Sequence, residues 1–404
     1  MVKDIIIIVA LVLFVFQNAL LDKIKNFSMY DELSVVFLFI LTILLVCLKK
    51  STKIRKDTLI ISVISVIYFI LGFLSNIIFL NQKLTYAVLD AFILFKFVLI
   101  FLFGRYIFSK VNIKSIIKII SSIAAVIAAL LFILVIVNLI TFTFPIYEYR
   151  YGLPAQQLFF EHPTYLVCAC VLLIAFLQAG NQSKQNYKYI HLLNFVILST
   201  LRTKGFLFVI FFYVIFFLIN FLKRKITIYH IACTSILGVV LGIYLAYNSL
   251  FNAVYSPRTL ITQSSFVLAN QYFPLGSGFG TFGSYVSAIQ YSKIYDYLNF
   301  DQYYGLSREN YSIITDTFWP MILAQTGYIG LLLFVIVLIL IIIDIWRIKN
   351  RNLNYFTSAI FLIFYLLITS TSESSFANYY ATGFGLYLGL LVSINYQEEI
   401  NETR

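Results

Sequence analysis

Two arginines, Arg202 and Arg258, occupy constrained positions at the ends of predicted helices. Arg202 lies in a tight hairpin between two apolar segments, and Arg258 follows Pro257 at the start of an amphipathic stretch. A helix N-terminus carries a partial positive charge, and a guanidinium binds phosphate oxygens in pairs. The two side chains are therefore candidates for binding a pyrophosphate.

A carboxylate, Asp316, stands just before a late apolar segment. Partial burial there would raise the pKa of Asp316 and make it a candidate base for an acceptor hydroxyl. The alternative is that Asp316 caps the N-terminus of the following helix, because Asp is a favoured N-cap residue. Both roles suit its position.

Four further side chains are candidates on the same side of the protein. Arg150 and Lys204 could contact substrate, although extension to lipid headgroups explains both more simply. His162, which precedes Pro163, is a candidate ligand contact. Glu373 could approach the same group of side chains, but its position in the sequence does not predict this.

A glycine-rich run at 274–283 contains the spacing G-x-G-x-x-G at Gly278, Gly280 and Gly283. A dinucleotide site is excluded because no strand precedes the run and no βαβ unit is possible here. The glycines instead predict a tight backbone path close to a ligand or to the helix bundle. Gly276, Gly278 and Gly280 are accordingly candidate substrate contacts.

The composition dictates which elements must position these residues. Of 404 residues, 61% are hydrophobic and 11% are charged, whereas soluble domains have about 25% charged residues. Apolar stretches of about 17–25 residues recur, each long enough to cross a hydrocarbon core as a helix. The sequence predicts an all-α polytopic membrane protein that forms a single transmembrane domain over 1–404.

About twelve spans are predicted. The first lacks a small-residue cleavage site and is interpreted as a retained helix. The spans lie near 5–21, 33–48, 57–80, 85–104, 117–143, 164–180, 189–201, 205–222, 227–247, 317–345, 354–371 and 377–395.

The net charge of +12 does not indicate nucleic acid, because the basic residues recur in every second connection instead of forming one patch. With both termini cytoplasmic, all of these clusters lie inside the cell. The residues concerned are Lys49, Lys50, Lys53, Arg55, Lys56, Arg105, Lys110, Lys114, Lys184, Lys188, Lys223, Arg224, Lys225, Arg347, Lys349 and Arg351.

One extracytoplasmic connection is long, at 248–316, and a second, at 144–163, is of moderate length; long loops are usually functional. The larger is rich in Tyr and Phe, which suit either sugar stacking or the membrane headgroup belt. Within it, Arg258 to Gln271 is predicted to form a short amphipathic helix at the interface.

Other polar residues are not predicted to form a cofactor site. The four cysteines lie within apolar spans, and the three histidines lack a partner at metal-ligand spacing. No metal or cofactor is therefore expected. Asp90 and Lys96 lie inside one span, six residues apart, so each should face the bundle interior without pairing with the other.

An ordered series of short elements resembles the bacterial O-antigen and capsular polysaccharide polymerases and the related ligases. It covers about 150–335, and its order and spacing carry the resemblance. The elements are Glu161-His162-Pro163, Leu198, Ser199 and Arg202 before Gly205, then Arg258, Pro274, Gly276, Gly278, Gly280, Thr281 and Phe282, and last Asp316, Phe318, Gly327 and Gly330.

The resemblance implies a metal-independent glycosyltransferase of the lipid-dependent type in the bacterial cytoplasmic membrane. Its donor would be an undecaprenyl-pyrophosphate-linked glycan at the outer face, used for capsule, exopolysaccharide or O-antigen synthesis. Arg202 and Arg258 would hold the pyrophosphate and stabilise its leaving charge. Membrane lipids, a flippase and a chain-length regulator are the implied partners, and nucleic acid is not one.

Ligases of the family place a histidine where this chain has Asp316, and this departure favours the polymerase branch. The main alternative is a flippase for the same lipid-linked glycans. A flippase should show matching halves with interrupted helices and midplane charges, and no such duplication is visible. An O-antigen ligase-type transferase remains a second alternative.

Overall fold

The computed structural model describes residues 2–21, 23–24, 27–48, 55–109, 111–181, 184–222, 227–246 and 256–395. Part of the predicted basic pattern and residues 248–255 of the long loop lie outside the described residues. The basic residues concerned are Lys49, Lys50, Lys53, Lys110, Lys223, Arg224 and Lys225.

The described chain is predominantly helical. Its helices, in chain order, are α1 (Val2–Leu20), α2 (Tyr30–Cys47), α3 (Lys56–Phe79), α4 (Leu84–Phe108), α5 (Ile113–Thr141), α6 (Pro163–Ala179), α7 (Tyr187–Ser199), α8 (Thr203–Leu222), α9 (Ile228–Ala246), α10 (Pro257–Gln271), α11 (Tyr285–Ile289), α12 (Lys293–Tyr297), α13 (Phe318–Ile348), α14 (Leu353–Thr369) and α15 (Tyr379–Val392).

Each predicted span overlaps one of these helices. Among the described residues, seven helices are long and apolar enough to cross a membrane, namely α1 to α5, α8 and α13. Helices α6, α14 and α15 are shorter and apolar. The prediction of a helical, multi-pass membrane protein is confirmed at this level.

The bundle is built around helices α4, α6 and α15. Helices α6 and α15 are apolar and almost wholly buried, whereas α4 is buried along most of its length and carries Asp90, Lys96 and Arg105 inside the bundle. Helix α4 packs along α15, while α6 is enclosed by α5, α7 and α14. Helices that are apolar all round belong in an interior or in lipid. Outer helices such as α2 and α3 instead leave many Ile, Leu and Val side chains exposed, as a lipid-facing surface requires.

Side-chain contacts define two ends of the bundle. At one end α1 and α7 terminate and α6, α8 and α15 begin, and this end is called the site end below. There, Asn18 Nδ2 near the end of α1 donates to Glu161 Oε2 beside the start of α6 at 2.7 Å. At the opposite end, Asn354 Nδ2 at the start of α14 donates to the carbonyl of Asn181 just after α6, at 3.1 Å.

Charged side chains inside the bundle have protein partners. Asp90 accepts the backbone N–H of Gly280 at 2.8 Å. Lys96 is ion-paired with Asp31 and also contacts Glu32 at 3.0 Å. The predictions that Asp90 and Lys96 face the interior and do not pair with each other are confirmed.

One connection contains two short strands that the sequence analysis did not predict. The connection between α5 and α6 contains an antiparallel hairpin of β1 (Ile146–Arg150) and β2 (Leu153–Gln156). Exposure alternates along β1, as expected for a strand. The two turn residues, Tyr151 and Gly152, have φ of 53° and 76°, the left-handed pair required by a two-residue type I′ turn.

The predicted amphipathic stretch is confirmed as helix α10, which packs on α13. Together with α11, α12 and a short 3₁₀ helix at Phe300–Gln302, it forms a layer with its own small apolar core. Ile261, Leu268, Phe282, Tyr295 and Phe300 belong to that core. The segment 256–316 is therefore a folded cap on the bundle.

Candidate functional site

The centre of the candidate site is Glu148 on strand β1, which contacts two arginines with one oxygen. Glu148 Oε1 lies 2.7 Å from Arg150 Nε and 2.9 Å from Arg202 Nη2. Strand β1 presents Glu148 and Arg150 on the same face because side chains two apart in a strand share a face. Arg202 reaches them from the turn between α7 and α8, where Leu201 has a φ of 53°.

The Tyr147 ring borders Arg202, and the His162 ring packs against Tyr147. The Arg202 guanidinium lies 5.2 Å from the centre of the Tyr147 ring, a cation–π distance. The same ring meets His162 edge-on at 4.6 Å. His162 is the N-cap of α6, and its Nδ1 accepts the backbone N–H of Thr164 at 3.1 Å.

Lys204, two residues beyond Arg202, pairs with Glu373 in the connection between α14 and α15. Lys204 Nζ contacts Glu373 Oε1, while the Tyr380 hydroxyl donates to Oε2 at 3.3 Å. The ion pair links the start of α8 to the start of α15. Lys204 is therefore directed into the protein and not outward to lipid headgroups as the simpler interpretation had it.

Arg258, on the first turn of α10, is ion-paired with Asp316. The alternative role of Asp316 as a helix cap is wrong, because the N-cap of α13 is Thr317 and the Asp316 side chain is directed to Arg258. Burial raises the pKa of the Asp316 carboxyl, against the opposing effect of the nearby Arg258. A raised pKa was expected from the sequence.

These ion pairs form one continuous group, called the cationic cluster below. Asp316 interacts electrostatically with Lys204 and Glu373, and Arg202 interacts with Glu373 as well as with Glu148. Four cations face three carboxylates, which leaves one net positive charge. The members of the cluster are Arg150, Arg202, Lys204, Arg258, Glu148, Asp316 and Glu373.

Several donors of the cluster are buried and have no hydrogen-bond partner among the residues that the structure describes. They are Nε and Nη2 of Arg202 and Nε of Arg258. The contact of Arg202 Nη2 with Glu148 is short, but its geometry is not that of a hydrogen bond. Burial, followed by repulsion from Arg150, lowers the pKa of the Arg202 guanidinium. An anion bound here would relieve both effects.

The glycine-rich run lies apart from these contacts and is inserted between α3, α4 and α13. Residues 276–284 are all buried. The backbone N–H groups of Gly276, Gly278 and Gly280 donate to Tyr272 O, Gln325 O and Asp90 Oδ2. These glycines therefore let the chain approach the bundle closely, and their amides are already used by protein acceptors.

A small cavity lies beside the cluster, between α1, α6 and α15. Its volume of about 10 Å³ is about that needed for one water molecule. Asn18, Tyr165, Tyr379 and Tyr380 are among its lining residues. Tyr380 also contacts Glu373, so the cavity borders the cationic cluster.

Sequence reasoning placed Arg202, Arg258, Asp316, Arg150, His162 and Lys204 at this end, and the structure brings them together. It missed Glu148 and Tyr147. The alternation Ile-Tyr-Glu-Tyr-Arg before Tyr151-Gly152 was the available signal for their strand. Glu373 had no local signal, because only the packing of α14 and α15 brings it to Lys204.

No three His, Cys, Asp or Glu side chains in the described part of the chain are grouped as metal ligands. In comparisons with known proteins, no protein-family model matches the chain. A search of curated proteins also gave no match.

Proposed function

We propose that this protein polymerises undecaprenyl-pyrophosphate-linked oligosaccharide repeat units at the outer face of a bacterial cytoplasmic membrane. The proposal combines the sequence resemblance to the O-antigen and capsule polymerases with the chemistry of the cationic cluster. The reaction needs a clamp for a pyrophosphate leaving group and a base for an acceptor hydroxyl.

The observation that carries the proposal is the set of unpaired guanidinium nitrogens of Arg202 and Arg258. Buried polar groups in native proteins are nearly always hydrogen-bonded. Here three such nitrogens lack a partner within the described part of the chain, in a group that has an excess positive charge. An anion with several acceptor oxygens, such as a pyrophosphate, satisfies both the hydrogen bonds and the charge.

In the proposed reaction, the acceptor hydroxyl oxygen bonds to the anomeric carbon of the donor glycan. The bond from that carbon to the pyrophosphate oxygen breaks, and lipid pyrophosphate leaves with the electron pair. Arg202 and Arg258 stabilise the negative charge of the leaving group. The hydroxyl proton passes to the Asp316 carboxylate, whose raised pKa favours this transfer.

The ion pair of Arg258 with Asp316 couples binding of the pyrophosphate to the availability of the base. A pyrophosphate competes with Asp316 for the Arg258 guanidinium, so donor binding would release the carboxylate. The base would thus become available only when a donor is present. Glu148 would be displaced from Arg150 and Arg202 in the same way.

The orientation of the protein belongs to this proposal. Basic residues such as Arg55, Arg105 and Arg347 lie at the end opposite the cluster, where they contact Asp57 and Asp344. The positive-inside tendency favours a cytoplasmic location for that end. The cationic cluster then faces outward, where the lipid-linked donor would be used.

The test is chain extension by the purified protein in vesicles that contain an undecaprenyl-pyrophosphate-linked repeat unit. We expect a ladder of longer glycans with the wild-type protein and single units with Arg202→Ala. Arg308→Ala is the matched control, because Arg308 pairs with Asp296 on the exposed cap and should leave the ladder intact.

Two other results would replace the proposal. Movement of the lipid-linked sugar across the vesicle membrane without extension would indicate a flippase. Transfer of the glycan only to an unrelated lipid acceptor would indicate a ligase-type enzyme. A full ladder with Arg202→Ala would remove the cluster from the chemistry.

A further inference from the structure

The His162 ring is oriented by a hydrogen bond and by ring contacts, of which the one with Tyr147 is the shorter. Its Nδ1 accepts the backbone N–H of Thr164 at 3.1 Å, as the N-cap of α6. Its ring meets the edge of Tyr147 at 4.6 Å with an interplanar angle of 75°. These contacts leave the opposite nitrogen, Nε2, as the part of the ring that can bind a ligand.

The cap contact decides where the ring proton lies. A nitrogen that accepts an N–H cannot itself carry a proton, so the neutral ring has its proton on Nε2. Protonation of Nδ1 would place two hydrogens face to face at the start of α6. Among the described residues, Nε2 shows no hydrogen-bond partner of its own.

The surroundings of the ring favour the same neutral state. Burial is the largest effect, and with the Arg202 and Lys204 charges it lowers the pKa of His162 to about 4. Glu373 and Glu148 oppose this shift but do not reverse it. The ring is therefore mostly uncharged at pH values above this pKa, and it interacts electrostatically with both the Arg202–Glu148 and the Lys204–Glu373 pair.

We infer that His162 is a neutral hydrogen-bond donor that contacts an anionic oxygen of the donor pyrophosphate through Nε2–H. The inference rests on the proposed function for the identity of the anion. It excludes a role for His162 as the base, because Nε2 already carries a proton and Nδ1 is occupied. It adds a third donor side chain, an imidazole, to the two arginines.

The state of the ring can be measured without any activity assay. The chain has three histidines, so ring-¹⁵N labelling gives few signals, and those lost in His162→Gln belong to His162. We expect one unprotonated nitrogen, Nδ1, and one protonated nitrogen, Nε2, from about pH 8 down to about pH 5, above the lowered pKa. An imidazolium spectrum at about pH 6, or a proton on Nδ1, would overturn the inference.

Two substitutions separate the cap from the donor. Asn places an acceptor oxygen near the position of Nδ1 and keeps the cap, whereas Gln places an N–H near the position of Nε2 and keeps the donor. We expect His162→Asn to lower chain extension by about 10- to 150-fold, the value of a hydrogen bond to a charged group. His162→Gln should retain most of the rate.

A wild-type rate of chain extension in His162→Asn would contradict the donor role. So would a larger loss with Gln than with Asn, because that order identifies the cap as the important contact. If the wild-type protein extends no glycan at all, the proposed function fails, while the nitrogen spectrum still decides the state of the ring.

Discussion

At the scale of single residues, a substitution at Asp316 can show whether this carboxylate acts as a base or only as the structural partner of Arg258. Asp316→Asn removes the basic oxygen but keeps the size and a hydrogen-bond acceptor for Arg258. We expect turnover to fall by about 10²- to 10⁴-fold with normal protein levels, because general-base catalysis contributes about that much. Chain extension by purified protein measures the effect.

The control for this substitution is Asp296→Asn, which removes a carboxylate paired with Arg308 on the exposed cap. It should leave turnover unchanged. Wild-type rate and polymer length in Asp316→Asn would remove Asp316 from the catalytic residues and leave the arginines as the chemistry of the site.

The pH dependence of turnover gives a second prediction for Asp316. A base acts in its ionised form, and burial raises the pKa of this carboxyl. The rate should therefore fall as the pH is lowered through a value above about 3.9, the usual pKa of Asp. This fall in rate at low pH should be absent from the residual activity of Asp316→Asn. A fall that persists in this variant would belong to another group.

Replacing Arg202 or Arg258 tests the clamp. Alanine at either position should lower turnover by about 10²- to 10³-fold, as expected for loss of a donor to a developing negative charge. Lysine should restore only part of it, because an ammonium cannot bind two oxygens in a fixed fork. Membrane protein levels and glycan length measure both effects, and full rescue by lysine would exclude bidentate binding.

At the scale of elements, the glycine-rich run is a buried insertion with side-chain partners on two sides. Asn76 of α3 donates to Phe279 O at 3.0 Å and accepts from Phe279 N at 2.8 Å. Gln82, just before α4, donates to Gly280 O at 2.8 Å. These polar contacts therefore fix the cap to α3 and to the connection before α4.

Gly278 and Gly152 provide a matched pair for testing this insertion. Both have positive φ, but a Cβ at Gly278 would lie 2.7 Å from Asn76 Nδ2, whereas one at Gly152 would meet nothing within 4 Å. Gly152→Ala should cost about 1–2 kcal/mol of unfolding free energy from backbone strain alone. Gly278→Ala should cost about 1–3 kcal/mol more because of the crowding.

Thermal unfolding of the purified variants in detergent measures this difference. Equal losses in the two variants would mean that the run can shift away from α3. The comparison depends only on packing, so it is independent of the enzymatic proposal.

The elements also mark the limit of sequence reasoning. Apolar stretches predicted the helices because lipid leaves the backbone few other choices. The hairpin of β1 and β2 was missed because hydropathy identifies spans and not the structure of the loops between them, although its alternation and Tyr151-Gly152 turn were visible. Glu373 could not be assigned, because its contact with Lys204 depends on how α14 and α15 pack.

At the scale of the whole molecule, the two ends of the bundle predict an orientation that labelling can check. Asn350 is exposed at the end with the basic residues, and Tyr304 is 79% exposed on the cap. In a background with the exposed Cys47 and Cys233 replaced by Ser, Tyr304→Cys should react with an impermeant thiol reagent in intact cells. Asn350→Cys should react only after permeabilisation.

The reverse labelling pattern would invert the protein and place the cationic cluster in the cytoplasm. Labelling of both positions in intact cells would indicate leaky membranes, which a cytosolic marker protein controls for. The alternating basic residues predicted the orientation, but the sequence alone could not show that one cluster collects residues from 148 to 373.

The hydrogen bond between Asp90 and Gly280 has a consequence for biosynthesis, because its partners are separated by 190 residues. At about 5–20 residues per second, translation takes about 10–40 s to deliver the second partner. During that time the Asp90 carboxyl group lacks its final donor. The delay is longer for Arg105, because its partner Asp344 is 239 residues away. Water, temporary partners or an insertion factor must therefore solvate or pair these charged groups until the cap and α13 have been synthesised.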